Sequence, residues 1–168
     1  MKTLVAFAAA TLVFGSAVQA DLNVQFIEGA PKDRFEISST IDCLSGPFDI
    51  TIDLTPSAGA LIFDVTEQGS GVEVFQPFEL VAGRDLVSGS SNVKDGDQSL
   101  TLTMTQLPMG MPVSFTIDVD DTSSARQITV NGSEIAGAEV RMSWNGTVQS
   151  SVFDAEARAV IIGSGCAS

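Results

Sequence analysis

The sequence contains no histidine and no tyrosine, a single tryptophan and only two cysteines. Without histidine there is no Ser-His-Asp or Cys-His nucleophile system, and no histidine ligand for zinc. Cys43 and Cys166 are too few for a four-cysteine zinc site. One tryptophan, Trp144, supplies neither the aromatic girdle of an outer-membrane barrel nor a sugar-stacking platform of several rings. Bases are scarce too: eight Lys and Arg, scattered singly, stand against 21 Asp and Glu. No positive patch is available for nucleic acid or an anionic membrane surface. A net charge of −13 favours cations, or a surface bearing them, as partners, although acidity of this size mostly keeps an exported protein soluble.

Long hydrophobic runs are missing as well, with one exception at the start. Leu4 to Phe14 is apolar, Lys2 precedes it, and Ala17-Val18-Gln19-Ala20 ends it with small or compact residues. Residues 1–20 therefore read as a signal peptide cleaved before Asp21. The run falls short of the ~20 residues a membrane span needs. An aspartate rather than a cysteine after the cleavage point is not a lipoprotein signature. The expectation is an exported protein, periplasmic, extracellular or at the cell surface, with no membrane span after cleavage. Residues 21–168 then form one domain, 168 − 20 = 148 residues, with a charge of 7 − 21 = −14 once Lys2 is gone. In an oxidising compartment Cys43 and Cys166 are expected to pair as a disulfide.

What is present is alternation with a period of two. Val113, Phe115, Ile117 and Val119 alternate with Ser114, Thr116, Asp118 and Asp120, which predicts one half-buried strand over Val113 to Thr122, its polar face ending in carboxylates. The pattern recurs at Leu22–Phe26, Phe35–Cys43, Phe48–Leu54 and Leu100–Met104. Ala60 to Val65 is nearly all apolar, as in a strand covered on both faces. Val72–Phe75 and Phe78–Val81 are short strands around Pro77, which has no amide to donate and marks an edge or bulge. The strand at Leu100 and the one at Val113 read as a hairpin with a long loop. Asn131-Gly132 and Asn145-Gly146 read as type I′ hairpin turns in preference to glycosylation sequons. Gly83 to Gln98 is one extended irregular stretch, and Ala157–Ile162 a last strand. Nine to eleven short strands without a 3.6 period predict an all-β fold: a single antiparallel β-sandwich, jelly-roll-like, with a small closed barrel as the alternative.

The segments FIEGAPKDRFEI, PSAGALIFDVT, VEVFQPFEL, VSFTIDVDDT and ITVNGSEIAGAEV resemble exported bacterial proteins labelled "aggregation factor core". The resemblance spans most of residues 21–168. It implies adhesion at a cell surface or in a matrix, by binding a surface or matrix polymer or by self-association. Its motifs are strands and turns, so it transfers no catalytic residue.

Asp118, Asp120 and Asp121, with Asp95 and Asp97 from the long loop, are the candidate metal site. Calcium takes six to eight oxygens, commonly from loop carboxylates and carbonyls. No Asp-x-Asp-x-Asp-Gly loop accompanies them, and acids at a solvated strand end also keep an edge from pairing with another chain. Asp49 with Asp53, or Asp118 with Glu134, are conceivable hydrolase acid pairs, of a kind any acidic β protein offers by chance. The reading is a secreted or surface-associated, non-catalytic binding protein with calcium as its one conceivable cofactor. The alternative is an exported hydrolase or carbohydrate-binding module that uses acidic surface residues.

Overall fold

A computed structural model describes residues 22–30, 32–42, 44–66, 75–122 and 130–162. The signal peptide expected over residues 1–20 and both cysteines of the expected disulfide lie outside the described residues. In chain order the strands are β1 (Leu22–Ile27), β2 (Asp33–Ser39), β3 (Ser45–Asp53), β4 (Leu61–Phe63), β5 (Glu79–Ala82), β6 (Val87–Ser90), β7 (Ser99–Gln106), β8 (Val113–Ile117), β9 (Val119–Asp121), β10 (Glu139–Trp144), β11 (Thr147–Val152) and β12 (Arg158–Ile161). One sheet has the order β12-β1-β2-β8-β5, a second β11-β10-β3-β7-β6, and β4 pairs with β9 as a separate ribbon. The ladders are antiparallel throughout. The architecture is the all-β sandwich that the alternation predicts.

The alternating residues pack as the period of two requires. Leu22, Val24 and Phe26 of β1 face inward with Phe35 and Ile37 of β2 and Val113, Phe115 and Ile117 of β8, all buried. From the other sheet come Phe48, Ile50 and Ile52 of β3, Leu100, Leu102 and Met104 of β7, and Val140 and Met142 of β10. Phe35 lies opposite Phe26 on one side and Phe115 on the other. Its ring stacks on Phe115 at 5.1 Å with planes 16° apart and meets Phe26, also at 5.1 Å. These aromatic pairs add to the stabilisation that burial of their area already gives. On the outer face of the second sheet, Thr51 and Thr101 share a hydroxyl hydrogen bond of 2.8 Å and Thr103 donates to Asp49 at 2.7 Å.

Several local expectations are corrected. The strand predicted over Val113 to Thr122 is two: β8 belongs to the first sheet, β9 pairs with β4, and Asp118 sits in the break. Strands β7 and β8 do not form a hairpin, because β7 pairs with β3 and β6 while β8 pairs with β2 and β5. Their connection crosses from one sheet to the other, which lets both apolar faces cover the same core. Leu61 to Val65 are buried as expected of the apolar run from Ala60, yet its strand lies in the small ribbon and not centrally in a large sheet. Part of the stretch predicted as irregular, Gly83 to Gln98, is a 3-10 turn at Arg84–Leu86 followed by β6.

Asn145-Gly146 is the predicted type I′ turn, with φ of 49° and 77°. Asn131-Gly132 is not. There the Asn131 side chain accepts from the Ser133 amide at 2.9 Å and the Glu134 carboxylate accepts from the Asn131 amide at 2.7 Å, so the asparagine opens a turn of its own. Trp144 is half-buried at the rim, its indole N–H donating to the Ser45 carbonyl at 3.2 Å.

Candidate functional site: a buried acid cluster

Four aspartates come together where the first sheet meets the β4–β9 ribbon. Asp33 opens β2 opposite Ile117, the last residue of β8. The chain then breaks at Asp118 and enters β9, where Ile62 of β4 faces Asp120 and Phe63 faces Val119. Asp64 follows β4, and its amide donates to the Asp118 carbonyl at 3.1 Å. Residue Gln76 ties the corner, accepting from the Asp118 amide at 3.1 Å and donating to the Asp64 carbonyl at 3.3 Å. Backbone pairing thus fixes the four acids side by side.

These acids are buried: Asp33 and Asp64 are each 2 % exposed, Asp118 8 % and Asp120 6 %. This overturns the solvated polar face predicted for Asp118 and Asp120. The reason is topological, since the ribbon covers the end of β8 that alternation alone leaves open. Asp33 accepts from the Gly29 amide at 3.1 Å and the Val119 amide at 3.2 Å. Asp120 acts on Asp64 directly and makes its ionisation costlier. Two buried oxygens, Asp64 Oδ1 and Asp118 Oδ2, have no hydrogen-bond partner.

The electrostatic consequence is that the cluster resists ionisation. Burial, reinforced by Asp120, Asp33 and Asp64, pushes the Asp118 carboxyl up to about 8. Burial raises Asp33 to about 7 against the two amide hydrogen bonds that favour its charged form, with Asp120 and Glu28 adding to the rise. Asp64 goes to about 6 through burial and then the Asp120 and Asp95 charges. Among the described residues, no Lys or Arg acts on these three.

The remaining sequence candidates serve the scaffold. Asp95 Oδ1 accepts from the Val65 and Thr66 amides at 2.7 and 2.8 Å, and its other oxygen takes the Thr66 hydroxyl, which holds the carboxyl below its ordinary range. Asp97 accepts from the Lys94 amide at 2.8 Å, closing the loop before β7. Asp121 ends β9 opposite Leu61 and is half-buried. Asp49 and Asp53 lie four residues apart on β3, about 13 Å along the strand, beyond the carboxylate separations of glycoside hydrolysis. Asp53 is moreover paired with Arg141 at 3.3 Å.

Sequence reasoning missed Asp33 and Asp64. Asp33 reads as a turn residue in PKDRF, and nothing local distinguishes it. Asp64 did carry a signal: it is the one acid inside the apolar run ALIFDV, where a carboxyl has to be buried. Among the described residues no three acidic side chains form a ready-made metal cage. A broad surface depression beside Phe78 is lined by Val65, Thr66, Pro77 and Ser90 to Val93, none of them ionisable. No helix among the described residues is long and apolar enough to cross a membrane. No family model and no curated protein sequence matches this chain.

Proposed function

We propose that this is an exported, non-catalytic binding protein of the adhesive or matrix type, whose buried acid cluster takes a divalent cation. The observation that carries the cation reading is the pair of orphaned oxygens, Asp64 Oδ1 and Asp118 Oδ2, in a cluster on which no base among the described residues acts. Buried carboxyls left in this state either hold protons or meet a cation. The donors are all oxygen, which suits a hard ion, and calcium tolerates irregular geometry better than magnesium. Because no cage is ready-made among the described residues, a cation has to draw the side chains together as their protons leave.

The adhesive part of the reading is supported by the resemblance of the strand and turn segments quoted above. A hydrolase could also use a pair of neighbouring carboxyls, but Asp64 and Asp120, at 2 % and 6 % exposure, offer substrate no access.

Thermal unfolding at pH 8 with calcium against chelator tests the site. Extracellular calcium modules bind at about 0.1–1 mM. A hundredfold excess over Kd stabilises by about 2.7 kcal/mol, so Tm should rise by several degrees. Asp118→Asn should abolish most of that rise. If sodium at matched ionic strength reproduces it, or if Asp118→Asn responds like wild type, the effect is diffuse screening and the site is not a cation site. For adhesion, deleting the protein from its source cells should weaken calcium-dependent aggregation, and an unchanged phenotype would count against that role.

A further inference from the structure

The four sheet edges of the sandwich are not alike. Strand β5 meets β8 through a register shift and carries Glu79, which Lys32 holds at 2.9 Å. Strand β6 also meets its neighbour through a register shift. On β12, Arg158 donates to the Gln25 side chain at 2.6 Å. Bulges and charges of this kind are the ordinary means by which a protein keeps its edges from pairing with another chain. Strand β11 has neither. It pairs with β10 in unbroken register over Thr147 to Val152, and no charged residue occurs between Arg141 and Asp154 in a chain that carries 21 acids.

The hairpin fixes which way its backbone points. Trp144 and Thr147 close the two-residue turn as a hydrogen-bonded pair. Hydrogen-bonded pairs then recur at every second residue, so Thr147, Gln149 and Ser151 direct their N–H and C=O groups at β10. Phe153 continues this set, donating to the Ala138 carbonyl at 2.8 Å. The backbone groups of Val148, Ser150 and Val152 therefore point to the open edge, where no described strand pairs with them. The side chains are inverted as well: Val148 and Val152 are 63 % and 57 % exposed, while the polar Gln149 and Ser151 lie on the half-buried face.

We propose that β11 is the contact through which two copies of this chain join, antiparallel about Ser150, into one continuous sheet with five strands from each copy. The occupant follows from the strand's symmetry and charge. Val148 and Val152 are equidistant from Ser150, so a two-fold axis there sets each Val148 against the copy's Val152. It also matches Ser150 with itself, and the outward groups of all three residues find partners. The pairing brings no like charges face to face within the strand. Arg141, opposite Ser150 on β10, is already engaged by Glu139 at 3.2 Å and Asp53 at 3.3 Å. The inference deepens the adhesive reading by naming its partner, and for its biological sense it rests on that reading.

Sedimentation of the full chain over a range of concentrations tests it, with and without calcium. Wild type should dimerise, more tightly as salt screens the net −13 charge. Ser150→Pro removes an outward N–H without touching the β10 ladder, and Val148→Lys puts a charge on the edge. Each should weaken dimerisation at least about tenfold, with an unchanged melting midpoint at concentrations where wild type is monomeric. Ser150→Cys is the geometric test. Facing residues of a hydrogen-bonded antiparallel pair have Cα atoms about 5.5 Å apart, within disulfide reach, so this variant should cross-link on mild oxidation. Ser143→Cys, on the same face but one strand inward, should not. A monomer at all concentrations, or equal cross-linking of Ser150→Cys and Ser143→Cys, overturns the edge pairing. A dimer without any calcium response overturns the cation site and leaves the pairing intact, and a calcium response in a strict monomer does the reverse.

Discussion

At the scale of single residues, the acid cluster dictates an unusual pH dependence. Asp33, Asp64 and Asp118 titrate in the folded protein near 7, 6 and 8, against an ordinary 3.8 in the unfolded chain. Above that ordinary value the folded state keeps protons that the unfolded state releases, so rising pH favours unfolding. Their contribution is complete below about pH 4 and is lost as pH climbs through about 6 to 8. Asp53 and Asp95, held low by hydrogen bonds and, for Asp53, by Arg141, act in the opposite sense but only below 3.8. Without calcium, the melting midpoint should therefore be higher at pH 5 than at pH 8. A midpoint that rises over this range would show that the cluster is not protonated. Asp118→Asn, which removes the charge at nearly constant volume, should stabilise the calcium-free protein at pH 8 by several kcal/mol and flatten the pH slope. Chemical denaturation of the two proteins at both pH values reads this directly.

At the scale of elements, turns and the aromatic row set the sensitivity to substitution. Gly146 has φ of 77° and open space around it, so Gly146→Ala should cost only the strain of a left-handed alanine, about 1 kcal/mol. Gly83 is also left-handed, at 68°, but a methyl group there would lie 2.8 Å from the Pro112 carbonyl oxygen and 2.7 Å from Val113 Cγ2. Gly83→Ala should therefore destabilise clearly more than Gly146→Ala, since the clash is with the chain that leads into β8. Equal losses in denaturant melts would mean that this approach is looser than described. Phe35 has partners on both neighbouring strands, and Phe35→Ala should lose about 3–5 kcal/mol.

At the scale of the whole molecule, the sandwich combines a filled interior with charge that is unevenly spent. Its long inner faces pack one shared core, while much of the acidic excess is tied into loop hydrogen bonds and one corner holds four buried aspartates. Calcium and protons should therefore compete at that corner. At pH 5 millimolar calcium should shift Tm less than at pH 8, because binding must displace protons held by Asp33, Asp64 and Asp118. A calcium shift independent of pH would place the ion elsewhere.

The sequence by itself determined the class of fold. Alternation in β1, β2, β3, β7 and β8 names the inward residues one by one, because a strand's faces follow from a period of two that needs no knowledge of neighbours. Asn145-Gly146 likewise announces its turn, since both positions require positive φ. The absence of histidine excluded whole classes of chemistry before any contact was known. Only the tertiary structure decided where the acids are. Asp118 and Asp120 look solvated on an alternating strand and become buried because β4 comes to pair with β9. Asp33 joins them through its register with β8, and Asp64 through a hydrogen bond between segments some fifty residues apart. Burial, the pKa shifts it causes and the end position of β11 among the described strands of its sheet are properties of strand neighbours. Strand order depends on how several apolar faces share one core, which no single segment encodes.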